Sequence, residues 1–211
     1  MSQVRAILFD MDGVLIEAKD WHYQALNDAL SLFGMDIDRE SHLATFDGLP
    51  TKDKLDILGK SKGLPKELHA FINQLKQKYT QQIIWQNCAP LFHHQYALSR
   101  LKREGYKLAV CSNSIRETVS MMMTLSQLDK YLDLQLSNQD VTKAKPSPDI
   151  YHLAMERLGV VAEETLILED NEHGIQAARA SGAHVMVIGS VDDVSYERIK
   201  SQINNIEGAT S

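Results

Sequence analysis

An α/β fold, with a parallel sheet covered by helices on both faces and an all-helical insertion, follows from three features of the 211-residue chain. Five short apolar runs rich in β-branched and aliphatic residues read as strands: Val4–Phe9, Lys107–Cys111, Leu132–Leu136, Thr165–Leu168 and His184–Ile188. Helical periodicity fills the gaps between the last four, and strands alternating with helices imply a parallel sheet. Between the first two runs lie about 70 residues of helical pattern without a convincing strand, too long for a plain crossover and large enough for a small domain.

Each element has a local reason. Ala6–Phe9 is a continuous apolar run, as a strand buried on both faces should be. In the insertion, Trp21–Phe33 closes at Gly34, Lys52–Leu58 closes at Gly59, and Lys66–Trp85 starts just after Pro65. Further on, Leu91–Arg103 ends at Gly105, Ile115–Leu128 carries a run of methionines, Pro148–Leu158 ends at Gly159, and Glu172–Ala180 ends at Gly182. The Leu132–Leu136 run is the weakest of the strands. The predicted division is a core of residues 1–15 and 88–211 with a helical domain of residues 16–87 inserted into it.

Composition narrows the function classes. The chain is 44% hydrophobic and 24% charged, ordinary for a globular protein, and its net charge is −6. That balance gives no support to a nucleic-acid partner, which calls for a basic stripe, yet it allows a locally positive pocket for a small anion. Cys88 and Cys111 have neither metal-ligand spacing nor the number for a disulfide framework. No apolar run is long enough to span a bilayer and no signal peptide is visible, so a cytoplasmic, membrane-free setting is expected. Oligomeric state stays open, with a monomer favoured.

Four motifs carry chemistry. Asp10 and Asp12, two apart at the carboxyl end of the first strand, can aim at one point, where open α/β sheets bind ligands. Ser112 ends the second strand, and Asn113-Ser114 opens a helix whose free amides suit a phosphate oxygen. Lys145 precedes Pro146-Ser147-Pro148; Pro146 disfavours helix at Lys145 and keeps it on extended chain, Ser147 can cap, and Pro148 fits the first helical turn. Glu169-Asp170 follow the fourth strand, and their carboxylate oxygens suit a hard cation such as Mg²⁺. Taken singly, each also has a plain structural reading: an acidic turn, a helix cap, a loop lysine, an acid at a helix N-terminus.

Together, FDMDG, CSNS, KPSPDIY and LEDNEHGIQAA resemble the haloacid dehalogenase-like superfamily of phosphoryl-transfer enzymes. The resemblance is nearest to the branch with a helical cap after the first strand, which includes β-phosphoglucomutase and phosphoglycolate phosphatase. It implies a Rossmann-like parallel core that uses Mg²⁺. By the same resemblance Asp10 is the nucleophile that forms an aspartyl-phosphate, and Asp12 is the general acid and base. Ser112, Asn113 and Lys145 hold phosphoryl oxygens. Asp10, Asp170 and the backbone carbonyl of Asp12 bind the metal, with Glu169 supporting them. His22 matches a histidine that the mutase branch keeps near its hinge. Gly48, Lys52 and Arg116 are further candidates for substrate contact. The mutase pattern is not kept at Ala18, Asp47 and Thr51, where threonine, lysine and arginine are expected. A Mg²⁺-dependent phosphatase acting on a small phosphorylated metabolite is therefore the leading expectation. A phosphosugar mutase is the alternative, and a non-catalytic phosphate-binding or interaction module is the alternative of another class. Bland roles are expected for Met121–Met123 and for Trp21 and Trp85, all as packing residues.

Overall fold

Ala6–Phe9 (β1), Lys107–Cys111 (β2), Leu134–Leu136 (β3), Thr165–Glu169 (β4) and His184–Val187 (β5) form one parallel sheet. Its strand order is β3-β2-β1-β4-β5. The computed structural model describes residues 3–46 and 49–209. Its helices are α1 (Lys19–Ser31), α2 (Arg39–Ser41), α3 (Thr51–Lys62), α4 (His69–Asn87), α5 (Phe92–Arg103), α6 (Arg116–Leu125), α7 (Asp149–Leu158), α8 (Glu172–Ala180) and α9 (Tyr196–Ala209). A π-helical turn, His42–Phe46, continues α2. No helix among the described residues is long and apolar enough to cross a membrane.

Both faces of the sheet are covered. Ala6 and Leu8 of β1, Ala109 and Cys111 of β2 and Ile167 of β4 pack with Ile150, Tyr151 and Ala154 of α7 and Ala177 and Ala178 of α8. The alternate residues Ile7, Phe9, Leu108, Val110, Leu166 and Leu168 are equally buried and point the other way. Burial on both faces is why the central strands read as unbroken apolar runs. The register pairs Phe9 with Val110 on one side and with Leu168 on the other. The next residues, Asp10, Cys111 and Glu169, therefore sit level at one edge of the sheet.

The chain divides into two compact units at Glu17/Ala18 and Cys88/Ala89. Within the unit Ala18–Cys88, α1 packs against α4. Leu26, Ala29 and Leu30 meet Leu55, Leu58 and Ile72 in its core. No strand occurs there among the described residues.

Several boundaries differ from the sequence expectations. α3 runs through Gly59 and stops at Gly63, which has the left-handed φ of 70°. Gly59 lies inside the helix, where a Cβ would stand 3.3 Å from the Leu64 carbonyl, so the glycine serves a close approach rather than a stop. β3 is only Leu134–Leu136, since the Leu132 amide closes the turn Asp129–Tyr131 and the Asp133 carboxylate accepts from Leu108 N–H. α6 ends at Leu125, where Ser126 Oγ bonds back to the Met122 carbonyl and Gln127 adopts a positive φ. α9 has no counterpart in the five-strand reading, although Ile199, Ile203 and Ile206 are buried at helical spacing. Met122 and Met123 are core, as expected, whereas Trp85 is 66% exposed and is no packing residue.

Candidate active site

Asp10 leaves β1 with its amide donating to the Leu168 carbonyl (2.9 Å), so the sheet ladder itself fixes its position. The chain then folds into a tight loop. The Leu15 and Ile16 amides both donate to the Met11 carbonyl at 2.9 Å, and Gly13 N–H donates to the Ile16 carbonyl at 2.7 Å. Asp12 is held from the β2 side, where Ser114 Oγ donates to its Oδ2 at 3.1 Å.

Lys145 is the hub. Its Nζ donates to Asp10 Oδ1 (2.6 Å), Glu169 Oε1 (2.6 Å) and the Cys111 carbonyl (2.8 Å), which uses all its ammonium hydrogens. The lysine is 3% exposed. It lies in the turn Ala144–Ser147, closed by Ser147 N–H to the Ala144 carbonyl (3.0 Å). Ser147 caps nothing, since its hydroxyl donates to the Asp149 carboxylate at 2.6 Å. The turn is instead anchored by Asn113, whose Oδ1 accepts from Lys145 N–H (3.0 Å) while its Nδ2 donates to the Lys145 carbonyl (3.2 Å). Asn113 and Ser114 therefore do not open a helix: α6 begins at Arg116 without a side-chain cap. Ser112 is buried, and its Oγ accepts from the Ser114 amide at 3.0 Å.

From β4, Glu169 is fully buried and accepts from Tyr151 OH as well as from Lys145, each at 2.6 Å. Asn171 Oδ1 caps α8 by accepting from Gly174 N–H (2.9 Å). Gly174 is required there, because a Cβ would stand 2.0 Å from Glu169 Oε1. Asp10, Glu169 and Asp170 can each bring a carboxylate oxygen within 4.8 Å of the others.

Burial is the main cause that holds the Asp10 carboxyl well above its usual pKa; Glu169 adds to it, Lys145 opposes it, and Asp170 and Asp12 raise it further. Burial disfavours the Lys145 charge, but Asp10 and Glu169 outweigh it and raise its pKa. The Lys145 ammonium is thus shared between two buried carboxylates. The all-oxygen donor set of Asp10, Glu169 and Asp170 fits a hard divalent cation such as Mg²⁺.

The remaining candidates fall elsewhere. Arg116 pairs with Asp140 (2.9 Å) and is exposed. Lys52 is an exposed residue of α3, and Gly48 lies outside the described residues. In the unit Ala18–Cys88, His22 Nδ1 lies 3.2 Å from Lys76 Nζ, and Lys76 is buried. Sequence reading passed over Lys76 and gave Tyr151 no role. The one available signal for Tyr151 was a tyrosine on the buried face of a helix, where its hydroxyl needs a partner.

This geometry is that of a hydrolase site at the carboxyl edge of a parallel sheet. The sequence profile of the haloacid dehalogenase-like hydrolases matches residues 7–188, and the chain belongs to that family. Among named relatives, the phosphorylated carbohydrates phosphatase of Thermotoga maritima is 27% identical over 195 residues, covering 90% of this chain and 88% of the relative. The pyrophosphatase PpaX of Oceanobacillus iheyensis is 28% identical over 195 residues, covering 92% of this chain and 87% of the relative. The crystal structure of CbbY from Rhodobacter sphaeroides in complex with phosphate aligns with a TM-score of 0.80 at 26% identity, over 88% of this chain and 86% of that one.

Proposed function

We propose that the chain is a Mg²⁺-dependent phosphoric monoester hydrolase that cleaves a small phosphorylated metabolite through a phosphoryl group carried on Asp10. The observation that carries this reading is Lys145, buried and bonded at 2.6 Å to both Asp10 and Glu169, beside a carboxylate trio suited to a metal. The names of the phosphatase relatives and the phosphate held by a homologous structure support the substrate class.

The steps follow from the side chains. Asp10 Oδ attacks phosphorus in line, forming an acyl phosphate as the ester P–O bond breaks. Asp12, held by Ser114, donates a proton to the departing oxygen and later takes one from the attacking water, which releases inorganic phosphate and restores Asp10. Ser112 and Lys145 receive the phosphoryl oxygens, with Asn113 fixing the turn that carries Lys145. Mg²⁺, held by Asp10, Asp170 and the Asp12 carbonyl with Glu169 behind them, would offset repulsion between the carboxylate and a phosphate dianion. Residues 16–87 form the helical cap domain inserted in a core of 1–15 and 88–211, a division supported by compact units that separate within a few residues of those limits. The acidic Asp47 and the neutral Ala18 and Thr51, where the mutase pattern has lysine, threonine and arginine, favour hydrolysis over isomerisation.

The test is turnover of p-nitrophenyl phosphate with Mg²⁺. The expected result is activity in the parent and none in Asp10→Asn. Full activity in Asp10→Asn overturns the nucleophile, and a folded parent inert toward a broad panel of phosphate esters favours a binding module. Fast conversion of β-glucose 1-phosphate to its 6-phosphate would instead establish a mutase.

A further inference from the structure

We propose that Tyr151 is a positioning residue of this centre: its hydroxyl fixes the Glu169 carboxylate while its ring underlies the Lys145 ammonium, and so it holds the metal-binding acids in register. The inference rests on reading Asp10 and Asp170 as the acids that hold the metal, with Glu169 behind them.

Tyr151 touches both charges of the hub. Its OH donates to Glu169 Oε1 at 2.6 Å, and Lys145 Nζ stands 4.9 Å from its ring centroid, within cation–π range. The side chain is fully buried on α7, in the face that includes Ile150 and Ala154. Glu169 is confined on its other sides as well. Its Oε1 also accepts from Lys145, its Oε2 accepts from Asp170 N–H at 3.2 Å, and the α-carbon side of Gly174 closes off the space beside it.

The phenol therefore decides how Lys145 is divided. With the phenol donating, Glu169 Oε1 has a second donor and Lys145 can be shared with Asp10. Without it, a buried carboxylate loses a hydrogen bond and draws on Lys145 alone, away from Asp10. The orientation of Glu169 loosens at the same time, and Asp170 is tied to it through its own amide. Partners that orient metal ligands in this way typically change metal affinity or activity by about 10–100-fold when removed. A phenylalanine would keep the ring beneath Lys145 and remove only the hydroxyl.

The experiment measures Mg²⁺ binding by calorimetry, without substrate, in the parent, Y151F, E169Q and the double variant, with circular dichroism as the check on folding. Y151F is expected to keep the parental spectrum while its Mg²⁺ affinity falls about tenfold or more. In the E169Q background, Y151F is expected to have little further effect, because the hydroxyl acts through the Glu169 charge. On p-nitrophenyl phosphate, kcat should fall with KM nearly unchanged. A folded Y151F that binds Mg²⁺ as the parent does overturns the role, as does an equal loss with and without Glu169, or a parent that binds no Mg²⁺. If parental turnover is intact while Y151F binds Mg²⁺ normally, the positioning role fails alone. If Y151F loses Mg²⁺ and the parent hydrolyses no phosphate ester, the role stands and the phosphatase reading fails.

Discussion

Lys145→Met keeps most of the side chain's length and removes its charge. The ammonium is 3% exposed, and the two carboxylates it bonds are 6% and 0% exposed. Removing one partner of a buried ion pair costs about 3–5 kcal/mol, mostly because the other charge is stranded. Here two carboxylates are stranded, but Asp10 has an escape: burial already favours its protonated form. The lower end, about 3 kcal/mol, is therefore expected. With a urea slope of about 2 kcal/mol per molar, the unfolding midpoint should fall by about 1.5 M. The assay is a urea titration followed by circular dichroism in metal-free buffer. Adding Glu169→Gln to Lys145→Met should recover about 1–2 kcal/mol, since a neutral amide replaces a fully buried carboxylate that has lost its ammonium partner. A Lys145→Met midpoint equal to the parent's, or a double variant less stable than the single one, would refute this balance of charges.

Two further outcomes follow from particular contacts. Gly174→Ala puts a Cβ where the Glu169 carboxylate now sits, so thermal melts should show a loss of about 1–3 kcal/mol together with a sharp fall in turnover; a stable and active variant contradicts the packing. His94 is buried with Nε2 2.8 Å from the Val191 carbonyl oxygen, and burial is the main cause that lowers its pKa below 6.5. The unfolded chain then takes up a proton at this site before the folded chain does. The site's contribution to stability is complete above pH 6.5 and is lost as pH falls toward the lower folded value. Melts from about pH 8 to about pH 5 should show a steeper Tm loss in the parent than in His94→Gln, and equal slopes contradict the assignment.

Asp10 and Glu169 were legible because each stands where an apolar strand run ends, level with the other in the sheet register. The central strands were legible because burial on both faces leaves an unbroken apolar run, as in AILF and TLILE. What the sequence concealed were long-range partnerships. Asn113 and Ser114 look like caps, because capping is the local use of such residues. Their side chains instead reach 32 and 102 residues along the chain, to Lys145 and Asp12. The turn closed across Pro146 that carries Lys145 depends on that same distant Asn113. Gly59 resembles a helix stop, yet the close Leu64 carbonyl explains it from inside the helix. α9 was overlooked although Ile199, Ile203 and Ile206 mark its buried face. Tyr151 could not have been singled out before Glu169 was known to sit 2.6 Å from its hydroxyl.

The proposed hydrolysis passes through a phosphoryl group carried on the Asp10 carboxylate. The most direct measurement is acid-quenched peptide mass spectrometry of the Mg²⁺-loaded Asp12→Ala variant after mixing with a phosphate ester it accepts, since loss of the base slows release of the acyl phosphate. The expected result is one added phosphoryl group on the peptide containing Asp10, absent when Asp10 is also changed to Asn. Phosphoryl label on any other residue, or its persistence in the Asp10→Asn double variant, would contradict the assignment.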